Sequence, residues 1–423
     1  MSRSRLSPHA PAFTVLLGAL VTLASFATDM GLPVLAQTAA SLGVTPATAA
    51  LTMSVFMAGF AFGPLVFGPV SDRHGRRPIL LAACATFALF GLLGAFAQSL
   101  AALLVWRFCM GAGAGTAQVL VLATVRDHFT GAEARAKQSY VNLASGIAPI
   151  IAPTAGVWVA TLGGWRAIYG VLAGAGVALL AAAALGLGES APTAARARGA
   201  TLSLGRTLGS YARVLRHPVT VGYAWVVALN FGCLFAYVSG SSLVLIGVLG
   251  VSQRAYGILF AITSLGLMLG AFASARLSHR GVSQHRLIAW GMTAIVATSV
   301  LLLAFTLAGR LPAVVLVPVA AVGFMGQGIV RPNAVQGALE PMPEIAGVAS
   351  AVLSAVQMVM GATASALVAA LFERLSALAM TGIMSFAAVA SAAIYAGLVR
   401  PAERRAALAP GAARARGRRS AAA

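Results

Sequence analysis

Asp29 and Arg107 are charged side chains set well inside long apolar stretches. An ionised group at the centre of a bilayer costs roughly 2.5 kcal/mol or more, so such residues face a protein interior and mark ion or substrate pathways. A carboxylate in a cavity takes up and releases a proton; a guanidinium beside it is a fixed charge with five donors. At a rise of ~1.5 Å per residue, Asp29 lies roughly 24 Å along its helix, about 6 Å short of the far edge of a ~30 Å core. Arg107 enters from that far edge and lies roughly 10 Å deep by the same rise. Their depths agree within one helical turn, so the two can face each other directly or through polar groups. A purely structural ion pair is the alternative reading.

The elements that must position them are membrane spans. Of 423 residues, 59% are hydrophobic and 9% charged, too few polar groups to cover a soluble globule. A span needs ~20 mostly apolar residues. Runs of that length fall at 13 to 35, 48 to 70, 77 to 97, 101 to 124, 138 to 161 and 164 to 187, then at 219 to 245, 255 to 277, 286 to 308, 312 to 333, 346 to 370 and 376 to 399. The basic start of the chain reads as the flank of a retained first span rather than a cleaved signal. The expected fold is an all-α membrane protein of twelve transmembrane helices in two pseudo-symmetric six-helix bundles. Its expected parts are an N-terminal segment 1-12, a first bundle 13-188, a basic linker 189-218, a second bundle 219-399 and a disordered basic tail 400-423.

The charge of +20 is a topology signal, because loops on the cytoplasmic side attract Lys and Arg. With the N-terminus inside, 24 basic residues fall on the inner side, Arg331 among them, and four outside, namely Arg166, Arg254, Arg310 and Arg374. Both termini are therefore expected in the cytoplasm, and the excess charge implies no nucleic-acid partner. Cys84, Cys109 and Cys233 form no disulfide framework or zinc motif. The sequence shows no metal cluster, no nucleophile with a base and no phosphate loop, so neither an enzyme nor an ATP-driven pump is expected.

The chain repeats itself. LVFGPVSDRHG (Leu65 to Gly75) and AFASARLSHRG (Ala271 to Gly281) end in glycines 206 residues apart, each after the second span of its half. Transporters built from two such halves hold their substrate near the midplane between them. In the first copy, Gly68 is expected to allow close helix approach and Gly75 a turn closed to other residues. Arg73, Arg76 and Arg77 belong at the inner interface, with Asp127 the candidate partner of Arg76. Ser278 replaces Asp72 in the second copy, so any latch there is weaker.

GPVSDRHGRRPILL (Gly68 to Leu81) resembles the signature loop of the major facilitator superfamily. The resemblance implies that Asp72 meets the start of the eleventh span, near Ile345 to Ser350. TDMGLP around Asp29 and RFCMGAGAGTAQ from Arg107 resemble the Bcr/CflA-type drug:proton antiporters, as do ATVRDHFTG, GIAPIIAPTAG, GWRAIYG and, in the second half, RPNAVQGALEPMPEIAGVASAV. The resemblance implies that Asp29 couples proton to substrate with support from Arg107. Gly146, Pro149, Pro153 and Gly156 resemble the antiporter element of exporters, two prolines bending one helix into a pivot against the eighth span.

For a substrate pocket, Met53, Phe56, Asn142, Asn230 and Tyr237 are the candidates, since drug sites are mostly apolar with a few polar groups and adaptable Met or aromatic walls. Tyr223, Asn230 and Tyr237 repeat every seven residues and share a face. The expected function is proton-driven export of small, mainly apolar drugs by a monomer in the bacterial inner membrane, with no cofactor beyond the proton gradient. Export of one endogenous metabolite is the alternative, and a membrane sensor a more distant one.

Overall fold

The computed structural model describes residues 6–190 and 204–408. Eleven helices among these residues are long and apolar enough to cross a membrane, and one of them counts twice. The first is α1 (Pro11–Asp29), continued after a short turn at Leu32–Val34 by α2 (Leu35–Ser41). Then follow α3 (Pro46–His74), α4 (Arg76–Ala95), α5 (Leu100–His128) and α6 (Gly131–Gly186). α6 reverses at Gly164, whose φ of 66° is left-handed and suits glycine, so its two limbs are the fifth and sixth crossings.

After α7 (Leu204–Arg216), the second half contains α8 (Pro218–Ser242), α9 (Gln253–His279), α10 (Gln284–Leu307), α11 (Ala313–Leu339), α12 (Ala346–Leu375) and α13 (Ala377–Ile394). The chain then turns helical again in α14 (Arg400–Leu408). The disorder expected from residue 400 is therefore absent from its first nine residues; the rest of that expectation lies outside the described residues. Sequence start signals work as they should: Thr45 and Ser99 cap α3 and α5 by accepting from the N–H of Thr48 and Ala102.

The two halves repeat in packing as well as in sequence. Gly75 and Gly281 both take positive φ, 102° and 80°. In the first half, α3 lies so close to α5 that a Cβ on Gly59 would stand 2.0 Å from the Phe108 carbonyl oxygen. In the second, a Cβ on Gly266 of α9 would stand 2.2 Å from the Ala321 carbonyl oxygen of α11. Small residues are what allow this approach in a membrane, where dispersion contacts replace the hydrophobic effect between helices. Gly59→Val is expected to lose folded protein, because overpacking of about 3 kcal/mol or more has no flexible neighbour to yield. Gly68→Ala is the control: its Cβ meets nothing within 4 Å. Solubilised yield and melting temperature distinguish the two variants.

At the Gly164 end of the molecule the halves are joined. Ser54 of α3 donates to Ser365 of α12 at 2.9 Å, Thr45 donates to Glu373, and Leu35, Ala39, Ala49 and Ala50 pack on Leu243 and Ala369. Further in, the bent limb of α6 meets α9, with Thr154 against Gly257. At the Gly75 end, the contacts of Asp72, Arg76 and Asp127 stay within the first half, and Asn142, Leu143 and Ile147 of α6 are exposed. The interior is thus closed at the Gly164 end and accessible from the Gly75 end.

Candidate functional site

Arg107 reaches across three helices. It lies one residue before Phe108, so the Gly59 contact that brings α3 onto α5 also sets the base of its side chain. Its Nε donates to the Thr52 carbonyl at 3.2 Å, and a terminal nitrogen donates to the Ala27 carbonyl at 2.9 Å. Ala27 is in the last turn of α1, where carbonyls lack intrahelical partners and the helix dipole is negative, so a cation there is favoured on both grounds. The guanidinium lies 4.4 Å from the centre of the Phe56 ring and 5.9 Å from that of Tyr169. It is 4% exposed.

Asp29 ends α1, two residues past the carbonyl that Arg107 caps, and is likewise buried. No ion pair joins the two among the described residues. Arg107 steadies the backbone that carries Asp29 instead of neutralising its carboxylate, which leaves that carboxylate open to a proton. The Leu32–Val34 turn that follows packs against both α8 and α9, so the acid sits where the first half meets the second. A small cavity opens beside Arg107, lined by Thr28, Leu32, Met53, Trp165, Tyr169 and Ser239 among others.

Met53 lines this cavity, and the other pocket candidates are not among its lining residues. Phe56 is fully buried beneath Arg107. Asn142 is exposed on α6 and does not line the cavity beside Arg107. Asn230 donates to Ser391 of α13 and to its own helix, both at 2.8 Å. Tyr237 is fully buried, edge-on to Phe324 with ring centres 5.0 Å apart. The Tyr223, Asn230 and Tyr237 stripe does share one face, but that face looks into the core of the second bundle. The face of α8 turned to the first half carries Phe231 and Phe235, and Ser239 lies at the cavity.

The loop residues have mixed outcomes. Arg76 pairs with Asp127 at 3.4 Å and with Asp72 at 2.5 Å, and its backbone N–H donates to Glu189 at 2.7 Å. Arg73 is exposed. Asp72 turns toward Arg76 instead of meeting α12, and a Cβ on Gly68 would meet nothing within 4 Å, because the halves stand apart at this end. In the α6 element, Pro153 is buried and Gly156 packs hard against the Met30 carbonyl, next to Asp29. Pro149 is partly buried, and Gly146 has nothing within 4 Å of its Cβ position.

Trp165, Arg166 and Tyr169 lie together in the GWRAIYG string, and Tyr169 lines the cavity beside Arg107. Arg166 stacks on Trp165 and donates to Ser41 and to the Ala97 carbonyl at 3.0 and 2.9 Å, bracing the Gly164 end. A more consequential residue is Arg331. By sequence it counts with the inner-side charges at the end of the tenth span, whereas it lies within α11, eight residues before the helix ends.

The family model described as "Major Facilitator Superfamily" matches residues 16–365. The chain belongs to the Major Facilitator Superfamily. It is 32% identical to the uncharacterized MFS-type transporter YdgK of Bacillus subtilis over 92% of this chain and 96% of that protein. It is 29% identical to the bicyclomycin resistance protein homolog of Haemophilus influenzae over 85% and 89%, and 31% identical to the chloramphenicol resistance protein of Pseudomonas aeruginosa over 81% and 80%. These relatives agree with the Bcr/CflA-type drug efflux resemblance carried by the Asp29 and Arg107 strings. The chain is a multi-pass membrane protein and, by family, a transporter.

Proposed function

We propose that this superfamily member is a proton-coupled exporter of small, mainly apolar drugs in the bacterial inner membrane, with the Gly75 end and both termini in the cytoplasm. One observation carries the reading: a buried carboxylate, Asp29, without an ion-pair partner among the described residues, stands at the end of α1 where the halves meet. The resistance names of the bicyclomycin and chloramphenicol relatives support a drug cargo.

In this reading drug enters from the Gly75 end and displaces the Asp29 proton inward. Rocking about the contact between α6 and α9 then opens the Gly164 end, where drug leaves and the carboxylate reloads. Arg107 acts throughout as the strut that fixes the end of α1. When the Gly75 end closes, Asp72 docks on the first turn of α12, where the positive end of the helix dipole favours a carboxylate by ~0.3–1 kcal/mol. The cargo binds without any cofactor, and the proton gradient supplies the energy.

Everted membrane vesicles test this. With an acidified lumen, labelled chloramphenicol is expected to accumulate inside vesicles carrying the protein, and ammonium, which collapses the pH difference, is expected to release it. Accumulation that survives that collapse contradicts proton coupling.

A further inference from the structure

Arg331 is an exposed arginine in the interior of the molecule. Two residues on, Asn333 is buried against α9, donating to Ser274 at 2.8 Å. Successive helical residues are about 100° apart, so Arg331 points roughly 200° away from α9. It lies over the Phe231 ring, 5.9 Å from its centre, and Phe231 packs among first-half residues such as Phe56 and Phe60. Arg331 is thus turned toward the cleft between the halves, yet it keeps a solvent-exposed surface. Among the described residues it makes no ion pair and no hydrogen bond.

Its surroundings are polar and unsatisfied as well. Gln327, one turn away on the same stripe of α11, is 5% exposed and has no hydrogen-bond partner among the described residues. On α12, Gln357 is 4% exposed with its Nε2 unpaired, one turn from Gly361, which packs on the Phe231 ring. Amide and guanidinium donors left unpaired at a cleft are what a ligand rich in acceptors would satisfy; the Gln357 Nε2 is buried as well, where an unmade hydrogen bond costs roughly 1–3 kcal/mol. Among the described residues, the formal charges of the interior are Asp29, Arg107 and Arg331. Their sum is positive with Asp29 ionised and more so with it protonated, so a cationic cargo meets repulsion at each stage of the cycle.

We propose that Arg331, flanked by Gln327 and Gln357 above the Phe231 ring, is a substrate-binding residue that selects uncharged drugs bearing carbonyl, hydroxyl or nitro acceptors and excludes lipophilic cations. The proposal rests on the export reading and adds the charge class of its cargo. Proteoliposomes test it with chloramphenicol as the uncharged probe and tetraphenylphosphonium as the cation. The native protein is expected to move chloramphenicol alone. Arg331→Gln is expected to raise the chloramphenicol KM about tenfold or more, the worth of a hydrogen bond from a charged donor. Arg331→Glu is expected to admit tetraphenylphosphonium.

Native transport of the cation overturns the proposal. So does an unchanged chloramphenicol KM in Arg331→Gln at equal reconstituted protein. Either outcome leaves the export reading standing, whereas failure of the native protein to move either probe counts against the export reading and takes this proposal with it.

Discussion

Asp29→Asn is expected to abolish uphill drug movement while leaving the protein in the membrane. The substitution is nearly isosteric and Asp29 makes no ion pair among the described residues, so little of the fold depends on its charge. A pH difference of one unit is worth about 1.4 kcal/mol per proton, so an exporter coupled to one proton sustains roughly a tenfold drug gradient per unit. With the proton site removed, that gradient collapses to equality. Exchange of labelled for unlabelled drug at equal concentrations should persist, because rocking of the halves does not need the gradient. Vesicles in which Asp29→Asn still concentrates drug would place the coupling group elsewhere.

Arg107→Ala should be the second most damaging change, and for a different reason. Its loss frees the Ala27 and Thr52 carbonyls, each bonded through a membrane interior where such contacts are worth ~0.6–2 kcal/mol. It also removes the stack on Phe56, worth about 2 kcal/mol when desolvated. Together these predict a lower melting temperature of the solubilised protein and a frayed end of α1. Since Asp29 is the last residue of that helix, transport should fall with stability, by about tenfold or more at ~1.4 kcal/mol per decade. Arg107→Lys should recover much of the stability through its remaining charge at the helix end, and less of the transport, since one ammonium cannot bridge both carbonyls in the same fork. Full transport in Arg107→Ala would show that the end of α1 holds Asp29 in place unaided.

The sequence made the spans legible because hydropathy measures what the bilayer selects. The Gly75 and Gly281 turns were legible because positive φ leaves few residues to choose from. The pairing of Arg76 with Asp127 followed from both belonging to the same end of the bundle. What failed was orientation about a helix axis. The seven-residue stripe of Tyr223, Asn230 and Tyr237 identifies a face of α8, but bundle cores and transport clefts both use aromatics and amides, so the stripe does not tell which of the two it faces. The structure gives that face to the core and Phe231 to the cleft.

Arg331 was lost for a related reason. Arg331, Pro332 and Asn333 in succession look like the end of a span, yet α11 runs on to Leu339. The helix survives there because Asn333 donates to Ser274 and to the Ile329 carbonyl, so its polar side chain is satisfied inside the bundle. The count of charged groups in the interior rises accordingly from two to three, and that third charge bears on cargo selection.

The same opening of the Gly75 end explains why Asp72 and Gly68 lack their expected contacts. In the proposed cycle both belong to a surface that closes when the halves rock together; in this state Asp72 lies on Arg76 and a Cβ on Gly68 would meet nothing within 4 Å.

Competition between drug and proton for one site is best read from the purified protein itself. In lightly buffered detergent solution with a pH indicator, adding chloramphenicol is expected to release protons from the native protein, approaching one per drug bound, and none from Asp29→Asn. Drug binding without proton release from the native protein, or equal release from both, would contradict Asp29 as the coupling acid.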